Sequence, residues 1–232
     1  GCDETVQTLA RWYKGYNAET GEMDMDARLQ VDSMQGGGVM QHMANSVITG
    51  SAAAATAFAT GHKTTVRFLG VGPRIERPVF DEEGNIIDYV YDLLTGFEPT
   101  CNPYAPIASI LEAAQLAGKA TGIAATSRVT HATPAAFACH IEDRGWDNDI
   151  IEHMVYNNID VVFGGGARHL FPKDETYTTS FGAEWSGKRT DGEDLLDVLL
   201  GRGYQFVDSK EGLMELKKGK AWGLFDDSHM QP

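Results

Sequence analysis

The stretch IASILEAAQLAGKATGIAA, residues 107–125, decides the fold class of this chain. Its apolar side chains recur at helical spacing over residues 107–116, and Gly118 predicts the end of that helix. The short apolar run at residues 122–125 follows at once and is typical of a strand that is buried on both faces. A helix that leads directly into a buried strand predicts an α/β unit.

The same step recurs along the rest of the chain. A helical pattern at residues 147–157 leads to an apolar run at 159–163 and then to Gly164-Gly165-Gly166. Two further pairs follow, a helix at 195–200 with a strand at 204–207 and a helix at 211–216 with a last strand near Trp222. Repeated steps of this length favour parallel strands joined by crossover helices. The sequence predicts one α/β domain over residues 1–232, with a mostly parallel central sheet and helices on both faces.

Three other segments have patterns of their own. Apolar residues at helical spacing over residues 6–13 predict an N-terminal helix. Residues 72–104 contain two apolar runs around a turn at 81–85, which predicts a hairpin in a surface insertion. Residues 171–194, rich in Thr, Gly and Lys, are expected to form a long irregular loop.

The composition excludes several classes of protein. Among 232 residues, 19 Lys and Arg face 33 Asp and Glu, and the resulting net charge of −14 repels the phosphate backbone of nucleic acids. No apolar run approaches the roughly 18 residues needed to cross a bilayer, so no membrane span is predicted. Cys2, Cys101 and Cys139 are odd in number and lack CxxC spacing, which predicts neither a disulfide scaffold nor a zinc ribbon.

The two ends of the chain leave two interpretations open. The chain opens on Gly1-Cys2-Asp3-Glu4 and enters a helical pattern at once, and it closes on a strand and loop at residues 221–232. These ends fit an internal piece of a longer protein, and they fit a domain trimmed to a compact unit equally well.

The segment VITGSAAAATAFATGHKT, residues 47–64, places Ser51 at the predicted N-terminus of an alanine-rich helix. Unpaired N–H groups and the helix dipole favour an anion or a developing alkoxide at such a position. The alternative is that Ser51 only caps the helix. The segment is not a P-loop, because His62 separates Gly61 from Lys63, and it is not a nucleophile elbow, because it lacks the two flanking glycines.

The segment AATSRVTHATPAAF, residues 124–137, follows a predicted buried strand, where ligand sites of α/β proteins gather. His131 and Thr133 are two residues apart, so in an extended loop both side chains can reach one metal ion. Alternatively, Thr133 caps a helix that begins at Pro134.

Arg144 follows a helix predicted at residues 134–141 and can offer a bidentate fork to phosphate. Its alternative role is a surface ion pair with Glu142 or Asp143. No complete zinc ligand set is evident, since no H-x-x-x-H motif occurs and Asp149 with His153 reads as a solvated helix face.

These blocks, in this order, resemble the metal-dependent alkaline phosphatase family. The resemblance covers residues 45–232 and rests on the blocks at 49–64, 69–71, 109–122, 130–135, 158–166 and 223–230, with Arg144 standing 11 residues after Thr133. It implies that Ser51 is the residue phosphorylated, that Arg144 holds the phosphoryl oxygens, and that His131 and Thr133 serve the magnesium site. Ser51 would also contact the zinc ions as the activated nucleophile.

The resemblance implies a function for a full-length parent protein. That function is hydrolysis of small-molecule phosphate monoesters through a phosphoserine intermediate, at a site with two zinc ions and one magnesium ion. Secretion or periplasmic residence and a homodimer are implied for the parent in the same way.

Two departures from the family pattern affect what is expected of this chain. Gly50 stands where the family usually has an Asp that helps to orient the arginine. The family's Gly-Asp-Gly strand end would place its metal-bridging Asp just before Gly1, and the remaining zinc ligands would lie beyond residue 230. The chain alone is therefore expected to be inactive. The alternative is a non-catalytic protein that binds phosphate or another anion without metals.

Overall fold

The computed structural model describes residues 4–33 and 42–231, which fall into two compact units, residues 1–41 and 42–232. The first unit begins with helix α1 (Glu4–Gly15), which confirms the predicted N-terminal helix. The Trp12 ring of this helix stacks on Tyr16, the residue after the helix, with the ring centroids 4.9 Å apart. Gly1 and Cys2, for which the sequence raises expectations, lie outside the described residues. That the whole chain forms a single domain stays a prediction.

The second unit carries the other α-helices and the strands of the described residues. Its helices are α2 (Ser51–Thr60), α3 (Ile110–Leu116), α4 (Ala132–Ala135), α5 (Asp147–Tyr156), α6 (Leu195–Gly201) and α7 (Lys210–Glu215). Its strands are β1 (Glu76–Phe80), β2 (Ile86–Tyr91), β3 (Gly122–Arg128), β4 (Val161–Gly165), β5 (Thr176–Thr178), β6 (Glu184–Ser186), β7 (Gln205–Val207) and β8 (Ala221–Leu224).

The central sheet of this unit is parallel and has the strand order β3-β4-β8-β7. Its register sets Gly122 opposite Val161, and Ala221 opposite both Val161 and Gln205. The α/β class with a parallel sheet and crossover helices is thus confirmed. Because parallel strands end at the same edge, the segments that follow β3, β4 and β8 lie together there.

The core forms where helices pack against this sheet. Fully buried side chains come from α5, α6 and the two central strands: Ile150, Ile151, Met154, Leu195, Leu199, Val162 and Trp222. Burying side chains of this size is the main source of stability, at about 1.5–3 kcal/mol each relative to exposure.

Helix α3 shows why the deciding stretch folds as it does. The Ser109 hydroxyl accepts from the Glu112 N–H at 3.2 Å, and the Glu112 carboxylate accepts from the Ser109 N–H at 2.7 Å. This capping box starts the helix at Ile110, three residues later than the apolar pattern suggests. Gly118 follows its end with φ +71°, a conformation that favours glycine, so the predicted stop is confirmed.

Helix α2 is buried through its alanines: Ala52, Ala53, Ala55 and Ala59. Small side chains let this helix approach its neighbours closely. The buried Thr56 hydroxyl donates to the Phe68 carbonyl oxygen at 3.3 Å and accepts from the Gly70 N–H at 3.0 Å. The helix is therefore fixed to residues 68–70, while its N-terminus lies at the surface.

The structure confirms the predicted hairpin and corrects two other expectations. Strands β1 and β2 pair antiparallel and form this hairpin. The interpretation of residues 72–104 as a surface insertion stays a prediction. The irregular loop expected at residues 171–194 is wrong in part, because β5 and β6 form a second hairpin there, with Tyr177 stacked on Phe171 at 4.9 Å. The helix predicted at 134–141 is also wrong, since α4 ends at Ala135.

Within the described residues, no helix is both long and apolar enough to cross a membrane.

Candidate active site

Ser51 is the first residue of α2, and its side chain is exposed. The N-cap is Gly50, with extended backbone angles (φ −78°, ψ 161°) and no side-chain cap. The predicted position at the helix N-terminus is confirmed, whereas the alternative that Ser51 is the capping residue is wrong. Its hydroxyl is not used for capping and lies at the positive end of the helix dipole.

Arg144 reaches Ser51 across a separation of 93 residues. Its Nη1 donates to Ser51 Oγ, and its Nη2 lies 3.0 Å from Nε2 of His131. The alternative of a surface ion pair is wrong, because the Asp143 carboxylate pairs with Arg67 and Glu142 forms no ion pair within the described residues. One guanidinium thus joins the hydroxyl and the imidazole.

His131 is the N-cap of α4, and its ring is held as a neutral imidazole. Burial lowers its pKa below the usual 6.5, and the nearby charges of Arg144, His229 and Arg128 lower it further. Because arginine only donates hydrogen bonds, Nε2 of His131 accepts and Nδ1 carries the proton. A neutral imidazole is the form that binds metals.

Thr133 does not have the geometry expected from the sequence. It lies inside the first turn of α4 rather than in an extended loop or at the N-cap, so both of its sequence-based geometries are wrong. Its side chain is exposed, and together with His131 it lines a cavity of about 620 Å³ that runs along β3. Proline at the third helical position follows it without interrupting the turn, because that N–H needs no intrahelical partner.

The last residue of β4, Gly165, lets another segment approach the site. A Cβ on Gly165 would lie 2.1 Å from the Ser228 carbonyl oxygen, so only glycine fits there. The Met230 N–H donates to the Thr126 oxygen at 3.0 Å, and the Arg128 N–H donates to Nδ1 of His229 at 3.2 Å. These contacts fix residues 228–230 over the end of β3.

His229 is a neighbour that sequence reasoning missed. Its ring centroid lies 5.6 Å from that of His131. The only sequence signal was the 228–230 block of the family resemblance, which carries no distance information.

A second polar cluster lies beside the site, around Asp147 at the start of α5. Its carboxylate accepts from the Thr130 hydroxyl, lies 3.4 Å from Nε of Arg128, and lies 3.8 Å from Nε2 of His169. Burial lowers the pKa of His169 to about 4, and this effect outweighs the attraction of Asp147. His169 is therefore neutral near pH 7. Sequence reasoning did not identify this cluster.

The described residues offer only part of a metal centre. The donors at the site are the His131 imidazole and the hydroxyls of Thr133 and Ser51, and no carboxylate joins them. A catalytic zinc ion alone takes three protein ligands, and magnesium prefers carboxylate oxygens. In residues 4–33 and 42–231, the one group of three acidic or histidine ligands within mutual reach is Glu152, Asp191 and Glu193.

That acidic group already has a cation. The buried Arg189 lies among the three carboxylates, with Nη2 at 3.2 Å from Glu152 and 3.4 Å from Glu193. A centre with two zinc ions and one magnesium ion therefore does not fit the described residues by themselves.

The fold and the site together define a class of protein: a parallel α/β protein with a serine at a helix N-terminus and an arginine fork directed at that serine. The family model for alkaline phosphatase matches residues 1–232. The chain belongs to the alkaline phosphatase family.

Individual relatives agree with this assignment. The repressible alkaline phosphatase of Saccharomyces cerevisiae is 30% identical over 228 residues, covering 93% of this chain and 34% of that protein. The crystal structure of Thermus thermophilus alkaline phosphatase matches with a TM-score of 0.67 and 25% identity, covering 98% of this chain and 39% of that chain.

A magnesium-containing structure also matches. A His-to-Asp variant of the TAB5 alkaline phosphatase, with Mg bound in its M3 site, has a TM-score of 0.57 and 25% identity over 82% of this chain and 43% of that one. This chain thus spans about a third to two fifths of the length of these relatives.

Proposed function

We propose that this chain carries the nucleophile and the phosphate-binding arginine of a phosphate monoesterase. In this proposal Ser51 accepts the phosphoryl group of a small phosphate monoester as the alcohol leaves, and water later releases phosphate from the phosphoserine. The observation that carries the proposal is the hydrogen bond from Arg144 Nη1 to Ser51 Oγ. Family membership over the whole chain supports the same activity.

The residues of the site have separate tasks in this reaction. The guanidinium of Arg144 offers parallel N–H donors that match two phosphoryl oxygens. The N-terminus of α2 adds backbone N–H groups and a positive dipole end next to Ser51. Where no metal binds His131, its neutral ring accepts from Arg144, orients the guanidinium and adds no positive charge of its own; a metal bound at Nε2 would take the place of this contact.

Metals enter the proposal as cofactors of the complete enzyme. We propose zinc and magnesium, with His131, Thr133 and Ser51 as the donors from this chain. The magnesium-containing TAB5 structure supports magnesium for the family, and zinc is implied by the resemblance alone. Because the described donors are too few for the centre, we expect negligible turnover from these 232 residues. Secretion or periplasmic residence and a homodimer are proposed for the parent on family grounds.

The test separates phosphorylation from turnover. The chain is mixed with p-nitrophenyl phosphate, zinc and magnesium, quenched in acid, and mapped by mass spectrometry for phosphate on Ser51. Phosphate on Ser51, absent in Ser51→Ala and strongly reduced in Arg144→Gln, supports the proposal. Phosphate on another residue, or none on Ser51 when the flanking coding region is restored, contradicts it. Robust steady-state hydrolysis by the chain alone, lost in Ser51→Ala, would overturn the expected inactivity.

The alternative is a phosphate-binding protein without catalysis. It is favoured by the donor set of the described residues at the site, which includes no carboxylate, whereas Arg144 and the N-terminus of α2 can hold an anion by themselves. Calorimetry with inorganic phosphate distinguishes the two functions. Binding that persists in EDTA supports the binding protein, and binding that requires zinc supports the enzyme.

A further inference from the structure

Residues 67–70 and 141–145 are joined by contacts on both backbone and side chains. Leu69 and Ile141 exchange two backbone hydrogen bonds of 2.8 Å each, and the Arg144 N–H donates to the Arg67 carbonyl oxygen at 2.9 Å. The Arg67 side chain then grips Asp143, with Nε 2.9 Å from Oδ2 and Nη2 2.5 Å from Oδ1. Arg67 therefore fixes both the backbone of Arg144 and the side chain that precedes it.

The Asp143 carboxylate extends this grip to the next residue. Its Oδ1 accepts from the Gly145 N–H at 2.7 Å, which closes the turn around Arg144. A Cβ at position 145 would lie 2.8 Å from Nη2 of Arg67 and 3.0 Å from Oδ1 of Asp143. Glycine is thus the residue that lets the ion pair come this close to the backbone.

The same segment is bound to the helix that carries Ser51. Thr56 of α2 donates to the Phe68 oxygen and accepts from the Gly70 N–H, on either side of Leu69. Residues 67–70 therefore link the helix that carries Ser51 to the segment that carries Arg144. They hydrogen-bond to Thr56 of α2, and they also hydrogen-bond to residues 141–144.

The backbone of Arg67 supports a specific role for its side chain. Arg67 has φ +72°, in the left-handed region that favours glycine and costs other residues conformational energy. Backbone of this kind is concentrated at functional sites, where the surrounding contacts hold it. A glycine at 67 would satisfy the backbone but would leave Asp143 without its cation.

We propose that Arg67 and Asp143 are positioning residues for Arg144, and that together they hold its guanidinium in register with Ser51. The inference rests on the proposed function. Neither residue touches the phosphoryl group. They act through the backbone of residues 143–145, while the guanidinium of Arg144 hydrogen-bonds to the Ser51 hydroxyl and the His131 ring and forms no ion pair within the described residues.

The test compares the loss of two exposed arginine side chains that each form an ion pair. Arg67→Gln removes the partner of Asp143, and the control Arg77→Gln removes one partner of Asp92, which keeps its pair with Arg74; the two arginine side chains are 53% and 61% exposed. Binding of inorganic phosphate, with zinc and magnesium present, is measured by calorimetry. We expect about a tenfold rise in Kd for Arg67→Gln and Asp143→Asn, the scale seen when residues that support a binding group are removed, and no change for Arg77→Gln.

Arg67→Gly separates positioning from stability. It removes the guanidinium and relieves the left-handed backbone, so its Tm should be no lower than that of Arg67→Gln, while its Kd for phosphate should rise by the same factor. Arg67→Lys keeps the charge without the bidentate fork and should recover part of the affinity. Equal Kd values for Arg67→Gln and Arg77→Gln would overturn the proposal.

A second readout does not depend on phosphate binding. The Nε–Hε signal of Arg144 in a ¹H–¹⁵N spectrum should be sharp in the unmodified chain and in Arg77→Gln, and broadened in Arg67→Gln. If the unmodified chain binds no phosphate, the phosphate-binding role proposed for this chain by itself fails, but this signal still decides the positioning role. An Arg144 signal that is unchanged in Arg67→Gln contradicts that role.

Discussion

Arg144 donates to the hydroxyl of Ser51 although 93 residues separate the two positions. The contact forms because both residues are anchored to the same segment, residues 67–70, through Thr56 of α2 on one side and the Arg67 carbonyl on the other. The serine and the arginine are therefore parts of one rigid arrangement rather than two mobile surface side chains. Preorganisation of this kind favours binding of an anion between them.

Ser51→Ala should abolish phosphorylation and leave stability nearly unchanged. Ser51 is exposed, and the N-cap is Gly50, so the substitution removes no cap. The free energy of unfolding should change by no more than about 0.5 kcal/mol. Urea unfolding and mass spectrometry of the acid-quenched protein check the two parts.

Thr56→Val is the contrasting variant in the same helix. It leaves the buried Gly70 N–H without its acceptor, and we expect a loss of about 1–3 kcal/mol. If Ser51→Ala destabilised the protein as much as Thr56→Val, the interpretation of Ser51 as a residue free for chemistry would be wrong.

Gly50→Asp should stabilise α2 and tighten phosphate binding. Position 50 has extended backbone angles suited to an N-cap, and an added Cβ would meet no atom within 4 Å. An Asp side chain can accept from the free N–H groups of the first turn, worth a few tenths of a kcal/mol relative to glycine. Its charge can also orient Arg144, as the family pattern implies.

Gly50→Asn is the matched control, because it caps the helix without a charge. Equal gains in Tm for the two variants, with tighter phosphate binding only for Gly50→Asp, are expected from thermal unfolding and calorimetry. Weaker phosphate binding in Gly50→Asp than in Gly50→Asn would show that repulsion of the anion exceeds the orienting effect, contrary to this prediction.

The fold could be read from the sequence because its signals are local. The apolar pattern at 107–116, Gly118 and the apolar run at 122–125 each act within a few residues, and the structure confirms the helix and strand that they predict. The same reasoning misjudged residues 134–141, where alanines favour helix. There the chain leaves α4 after one turn and pairs Ile141 with Leu69, a contact that no local pattern contains.

The site could be read only in part. Ser51, His131 and Arg144 were identified by motif, and the structure brings all three together, although their catalytic roles stay predictions. The grip of Arg67 on Asp143 and the approach of His229 to His131 depend on long-range packing, so residue spacing does not reveal them. The hairpin of β5 and β6 was missed because strands of three residues are too short for an alternation pattern to appear.

Gly165→Ala should destabilise the protein and displace His229. The new Cβ would lie 2.1 Å from the Ser228 carbonyl oxygen, which belongs to the backbone and cannot rotate away. We expect a loss of about 1–3 kcal/mol, typical of overpacking. Chemical-shift changes at His229 and His131 should accompany it.

Gly201→Ala provides the control for the glycine change. No atom lies within 4 Å of its added Cβ at the end of α6, so the substitution should be neutral or stabilising by about 0.4–1 kcal/mol. A similar loss of stability in Gly165→Ala and Gly201→Ala would show that the close approach of Ser228 to Gly165 does not matter.

His169 should make stability depend on pH between about 6.5 and 4. Burial lowers the pKa of His169 from 6.5 to about 4, so in this range the unfolded chain binds a proton that the folded chain does not. The contribution of the neutral His169 to the free energy of unfolding is therefore fully present above pH 6.5 and falls as the pH is lowered toward 4.

His169→Gln removes the titrating group and can keep a hydrogen bond to Asn148, whose Oδ1 lies 2.9 Å from Nδ1 of His169. Urea unfolding at several pH values should thus show a shallower decline for His169→Gln than for the unmodified chain, whereas His62→Gln, which removes a ring bonded to Thr100 away from this cluster, should leave the decline as it is. The same slope in all three proteins would mean that the burial of His169 next to Asp147 does not govern acid sensitivity.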